Sequence, residues 1–255
     1  MRFSIPKRYQ LLVSLGLVFI ILSLITRIAL YIWSIDNIDL SILSLIRILF
    51  TGLFFDLGTV SFFLVPYAIY LLLLPNRFNG GKLDKIITRV AFFIGLLTFT
   101  FTTFAEFTFW EEFSSRFNFI AVDYLVYTNE VVGNINESYP IPILLTIVFS
   151  VVFLIFFIIK KRHTFTNTFN NSASAKEKII IASTTLVIAL FFFLFITNKN
   201  AEWSENRYEN ELSKTGIYSF FAAFRNNELS YTDFYLTQDT KVSIATLQKN
   251  VVQET

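Results

Sequence analysis

The chain is 255 residues long, 54% hydrophobic and only 16% charged, with 32 Phe and a mean hydropathy of +0.58. A soluble domain of this size has apolar content in the high forties and about a quarter charged residues, so an ordinary soluble domain and a disordered chain are both excluded, and a polytopic membrane protein is indicated. The net charge of +2 is too small to argue for nucleic acid, the lack of Cys excludes disulfide and thiolate chemistry, and a single His excludes a multi-histidine metal site.

A bilayer core about 30 Å thick needs about 20 apolar residues per crossing helix. The first such stretch is 10–33, interrupted only by Arg27. Its apolar core is too long for a cleaved signal peptide, and no small-x-small site follows it. Next comes an acidic loop, 34–40, with Asp36 and Asp39. The stretch 41–74 would be about 51 Å long as one helix at 1.5 Å per residue. Ser41, Ser44, Arg47 and Thr51 form a polar stripe at helical spacing. The pattern predicts an interfacial helix over 41–53 and a crossing helix over 54–74, with one long tilted helix as the alternative. A basic loop follows, with Arg77, Lys82 and Lys85, and then a third span, 86–110, carrying Arg89 and Glu106 near its ends. Arg89 reads as a snorkelling side chain.

The connection 111–140 is longer than a minimal loop. Ile120, Tyr124, Tyr127 and Val131 share one helical face, with Ala121, Leu125 and Val132 beside it and Asp123, Asn129 and Glu130 off it. This predicts an amphipathic helix on the outer membrane surface. The fourth span, 141–159, and the fifth, 179–197, carry no charge. Between them lies a basic loop with Lys160, Lys161, Arg162, Lys176 and Lys178. His163 reads as the solvated end of that cluster. Residues 1–198 thus form a five-span domain. The remaining 199–255 form an aromatic-rich segment with helices over 201–213 and 216–228, broken at Gly216, a natural helix-ending residue. The last stretch, Thr237 to Thr255, has no pattern that would bury a core.

Loops alternate basic and acidic. Basic loops stay cytoplasmic, which places the N-terminus inside and the C-terminus outside the cell membrane. On that topology Arg27, Arg47, Asp56 and Glu106 fall within about two turns of the outer face. Intramembrane charges cost roughly 2.5–3.5 kcal/mol on insertion scales, so they face protein or water. Two readings are open. The four charges pair and fix the bundle, or they form a polar pocket for a lipid headgroup. Glu111, Glu112, Arg116 and Asn118 are candidates to meet this cluster from the outer loop. No phosphate-cradling glycine loop or nucleophile-elbow motif occurs.

Phe-Ser-Ser-Arg-Phe-Asn-Phe-Ile-Ala-Val-Asp-Tyr-Leu (113–125) and Asn-Glu-Val-Val-Gly-Asn-Ile-Asn-Glu-Ser-Tyr-Pro (129–140) resemble the outer loop of lipoteichoic acid synthase-like proteins, the sulfatase-like phosphoglycerol transferases. Phe-Asp-Leu (55–57), Val-Pro-Tyr (65–67) and the run from Gly216 to Tyr235, which resembles the linker into the external enzyme domain, agree. The resemblance implies a membrane module holding an alkaline phosphatase-superfamily domain outside. In that family a threonine nucleophile and a divalent metal, commonly manganese, transfer phosphoglycerol from a phospholipid. No threonine here matches that nucleophile, so no catalytic residue is carried over, and the chain is expected to be inactive alone. Its expected partners are membrane phospholipids and a sulfatase-like domain in cis or in trans. A small transporter or flippase, and a structural protein binding a partner through its external tail, are the rival readings.

Overall fold

The computed structural model describes residues 5–126, 133, 135 and 137–225. Among them are helices and 3-10 turns and no strand. In chain order the helices are α1 (Gln10–Trp33), α2 (Ile42–Leu73), α3 (Lys82–Phe113), α4 (Phe119–Val126), α5 (Ile141–Lys161), α6 (Thr164–Asn170), α7 (Ala175–Phe195), α8 (Arg207–Ser213) and α9 (Gly216–Arg225). Five of them, α1, α2, α3, α5 and α7, are long and apolar enough to cross a membrane.

Packing pairs α7 with α2, α2 with α1, α1 with α3 and α3 with α5, so α1 is central. The flanking helices α5 and α7 bury only 11% and 17% of their most apolar windows, against 44% for α2. Phe153, Phe157, Leu194 and Phe195 stand more than half exposed on them. Apolar faces this extensive need a nonaqueous surrounding, which marks the chain as a membrane protein.

Several helix boundaries have a local cause. Ser41 caps α2, its side chain accepting from the Ser44 amide. Ser174 and Glu177 form a capping box that starts α7 within the basic loop, ahead of the apolar run. Ser114, in the left-handed region, ends α3. Pro66 lies inside α2 without ending it.

Three sequence expectations are corrected. Residues 41–53 and 54–74 do not form two helices but one, α2, unbroken from Ile42 to Leu73. Its polar stripe has a protein partner: Ser44 is buried and donates to Glu209 on α8 (2.6 Å). The helix expected over 201–213 begins only at Arg207, where Asn206 caps it by accepting from the Tyr208 amide (2.9 Å). Gly216 does not end a helix. It opens α9, and the break falls at Lys214–Thr215.

In α4, Val122 is buried, whereas Leu125 is 59% exposed. The expectations for Tyr127, Asn129, Glu130, Val131, Val132 and residues 226–255 lie outside the described residues.

Candidate functional site

The end of the bundle beside the acidic loops holds most of the charges predicted from sequence. Arg27 on α1 meets Asp56 on α2 as a two-pronged pair, with Nη1 to Oδ2 at 2.8 Å and Nη2 to Oδ1 at 3.1 Å. Both side chains are 1% exposed. Ser23, one turn before Arg27, donates to Asp56 Oδ1 (2.6 Å). Gly52 is required for this approach, since a β-carbon there would overlap the Arg27 guanidinium.

The segment between α8 and α9 completes the pair. Arg27 Nε donates to the Leu212 carbonyl (3.0 Å), and Nη2 donates to the Lys214 carbonyl (3.3 Å). The Thr215 hydroxyl accepts from Arg27 Nη2 (3.4 Å) and donates to Asp56 Oδ1 (2.6 Å). A buried ion pair is tolerable only when its remaining donors and acceptors are satisfied. Here residues 212–215 satisfy them.

A second pair lies alongside. Glu106, near the end of α3, pairs with Arg116, which is 2% exposed. Gly216 sits against the Glu106 carboxylate, where any β-carbon would collide. Close approach, not helix termination, is the reason for this glycine. The Arg116 amide donates to Glu211 Oε2 (2.9 Å), while the Nε and Nη2 of the Arg116 side chain have no hydrogen-bond partner among the described residues. Burial, and next the Arg27 charge, push the Arg116 guanidinium down to about 9, still charged at neutral pH.

Further contacts hold the segment from Trp203 to Tyr218 in place. Glu209 Oε1 accepts from Ser44 Oγ and from the Asp39 amide (3.2 Å). Tyr218 donates to the Ile196 carbonyl (2.7 Å). Arg47 lies over the Trp203 ring, 4.7 Å from its centroid, a cation–π contact.

The structure therefore brings Arg27, Asp56, Glu106 and Arg116 into one buried network, and it places Arg47 apart on the tail's Trp203. Glu111 is exposed and accepts from Tyr139 (3.3 Å). Glu112 is exposed on the flank of α3. Asn118 Oδ1 accepts from the Ile120 amide (2.9 Å) at the start of α4. Sequence reasoning missed Ser23, Glu209, Glu211 and Thr215; for Glu211 and Thr215 the signal is the polar run Glu-Leu-Ser-Lys-Thr (211–215), and nothing local marks the other two. Among the described residues, no group of three or more His, Asp or Glu side chains could hold a metal ion.

Lys214 gives a test of this packing by pH. Burial disfavours its ammonium, but Glu211 (2.8 Å) and Glu202 (3.1 Å) outweigh burial and hold it above its usual value of 10.5. A raised folded-state value means the lysine's stabilisation is complete below 10.5 and is lost as pH climbs through the folded value. Thermal unfolding should show Lys214→Met less stable than wild type by about 1.5 kcal/mol at neutral pH. That gap should close in strongly alkaline buffer. A gap that widens with pH would contradict the assignment.

The chain matches no family model, and no curated protein and no solved structure is significantly similar to it.

Proposed function

We propose that this chain is the membrane-anchoring module of a lipoteichoic acid synthase-like phosphoglycerol transferase. It holds an external sulfatase-like catalytic domain, joined in cis or bound in trans, at the surface of the cell membrane. In this reading the N-terminus is cytoplasmic and the tail extracytoplasmic, an orientation the alternating loop charges support. The observation that carries the reading is the docking of residues 212–215 onto the Arg27–Asp56 pair. A bundle that grips the segment leading outward behaves as a platform rather than a flexible leash. Restricting an enzyme to the membrane plane raises its effective concentration towards a lipid donor.

The chemistry is assigned to the partner domain. The charges of this network are engaged with one another, and in this reading the manganese belongs with that domain.

Cells lacking this gene should lose manganese-dependent transfer of glycerophosphate from radiolabelled phosphatidylglycerol to the envelope. Wild-type chain should restore it, and a purified chain alone should release no headgroup. A cysteine introduced at Arg225 should react with impermeant maleimide on intact cells. Unchanged transfer in the deletion strain would refute the transferase reading, and labelling only after lysis would refute the topology.

A further inference from the structure

A cavity of about 740 Å³ opens on the flank of α3, between α3, α4 and α9. Its volume is in the range of small-molecule sites, and it takes no part in the ion-pair network. The floor is one stripe of α3 running from Thr98 through Ala105 to Glu112. At 1.5 Å per residue this stripe is roughly 21 Å long, longer than one leaflet of a hydrocarbon core about 30 Å thick.

The lining is apolar in effect. Thr102 and Thr108 turn their hydroxyls to their own helix, donating to the Thr98 and Ala105 carbonyls (2.7 and 3.0 Å), and leave their methyl groups to the cavity. Phe101 and Phe221 are more than half exposed. The charged group and the two tyrosines lie at one end. Glu112 is the cavity's charged lining residue there, with Tyr124 and Tyr139 beside it. Glu111, next along the chain, accepts from the Tyr139 hydroxyl. The same end is the C-terminus of α3, whose free carbonyls add partial negative charge. Arg207 at this rim donates to one of them, on Phe113 (3.4 Å).

A long apolar trough along a helix of spanning length, with polar groups at one end, has the shape of a membrane lipid. We propose that this groove binds an acyl chain of an uncharged diacyl lipid, such as diacylglycerol, with its hydroxyl headgroup at Glu112. The neighbouring Glu111 and Glu112 carboxylates and the helix end outweigh the Arg207 guanidinium on Phe113, so this end disfavours a phosphate and accepts hydrogen bonds from hydroxyls. The inference does not depend on the transferase reading. A structural membrane protein could carry the same groove.

The test uses the purified full chain in nanodiscs with a diacylglycerol bearing a diazirine on one acyl chain. A phosphatidylglycerol with the same acyl chain is run in parallel. Peptides covering residues 98–113 should be labelled by the diacylglycerol about tenfold more than those covering α5, a ratio that a modest binding preference produces. Ala105→Trp, or Thr102→Phe if the first variant misfolds, should abolish the excess. Phe157→Trp on exposed α5 should not. Unlabelled diacylglycerol should compete on the wild-type protein, and Glu112→Gln should raise labelling by phosphatidylglycerol. Even labelling along all spans, failure of competition, or equal labelling by the two lipids would overturn the proposal.

Discussion

Asp56→Ala should destabilise the protein by about 3–5 kcal/mol, the cost typical of removing one partner of a buried ion pair. The reason is what it leaves behind. Arg27 is 1% exposed and would keep its charge with only two carbonyls and the Thr215 hydroxyl as partners. Ser23 and Thr215 would lose their acceptor as well. Asp56→Asn should cost less, because an amide oxygen still accepts from those hydroxyls. The double variant Arg27→Met with Asp56→Leu separates two effects. It removes both charges, so the bundle should recover much of its stability. The Leu212 and Lys214 carbonyls lose their donor, however, so proteolysis between α8 and α9 should remain fast. Thermal unfolding and limited trypsin digestion read the two effects apart. If Asp56→Ala falls within about 1 kcal/mol of wild type, the pair is not the fastening inferred from its burial.

The spans were legible because hydrophobic length is a strong signal. Helix α1 runs from Gln10 to Trp33 as expected from its apolar run. Helix α2 was split because its polar stripe looked like an interfacial surface. A polar stripe reports that something polar faces it, not whether that is water, headgroup or protein. In this chain Ser44 faces Glu209, and Ile48 packs with Leu30, Trp110 and Leu212. These partners lie far away in sequence, so no local pattern announces them. The same limit hid Thr215, a single hydroxyl whose role exists only once α8 and α9 have turned back onto α1 and α2.

Depth along a helix is readable from sequence position, but rotation about its axis decides which partner each charge meets. Arg47 and Asp56 share one helix and were placed at a similar level. Nine residues at 3.6 per turn set them about half a turn apart in rotation, so they cannot face the same partner. Asp56 points to Arg27, while Arg47 reaches Trp203. Arg89, read as a snorkelling side chain, lies over the Phe169 ring, 5.5 Å from its centroid. The ring belongs to α6, a short helix hidden in a polar loop of Thr and Asn.

The opposite end of the bundle holds a network that the charge reading passed over. In the sequence Arg8 is one of several N-terminal basic residues and Asp84 lies between Lys82 and Lys85, so neither stands out. In the fold, Arg8 Nη2 donates to both Asp84 oxygens (2.7 and 2.9 Å), and its Nη1 donates to the Thr168 carbonyl (3.1 Å). Asp84 also accepts from Tyr70 (3.0 Å), Thr88 (3.3 Å) and the Gly80 amide (2.7 Å). One carboxylate therefore joins the chain start, the end of α2, the start of α3 and, through Arg8, α6. Asp84→Ala should cost about 3–5 kcal/mol, because it strands a guanidinium that is 2% exposed. Arg8→Ala should cost less, because Asp84 keeps its three other donors. That asymmetry distinguishes a hub carboxylate from an ordinary ion pair, in which losing either partner is equivalent. Unfolding midpoints of the two variants should therefore differ, with Asp84→Ala the lower. Equal midpoints would mean that the Tyr70, Thr88 and Gly80 contacts contribute nothing, and that the basic end is held by the Arg8 pair alone.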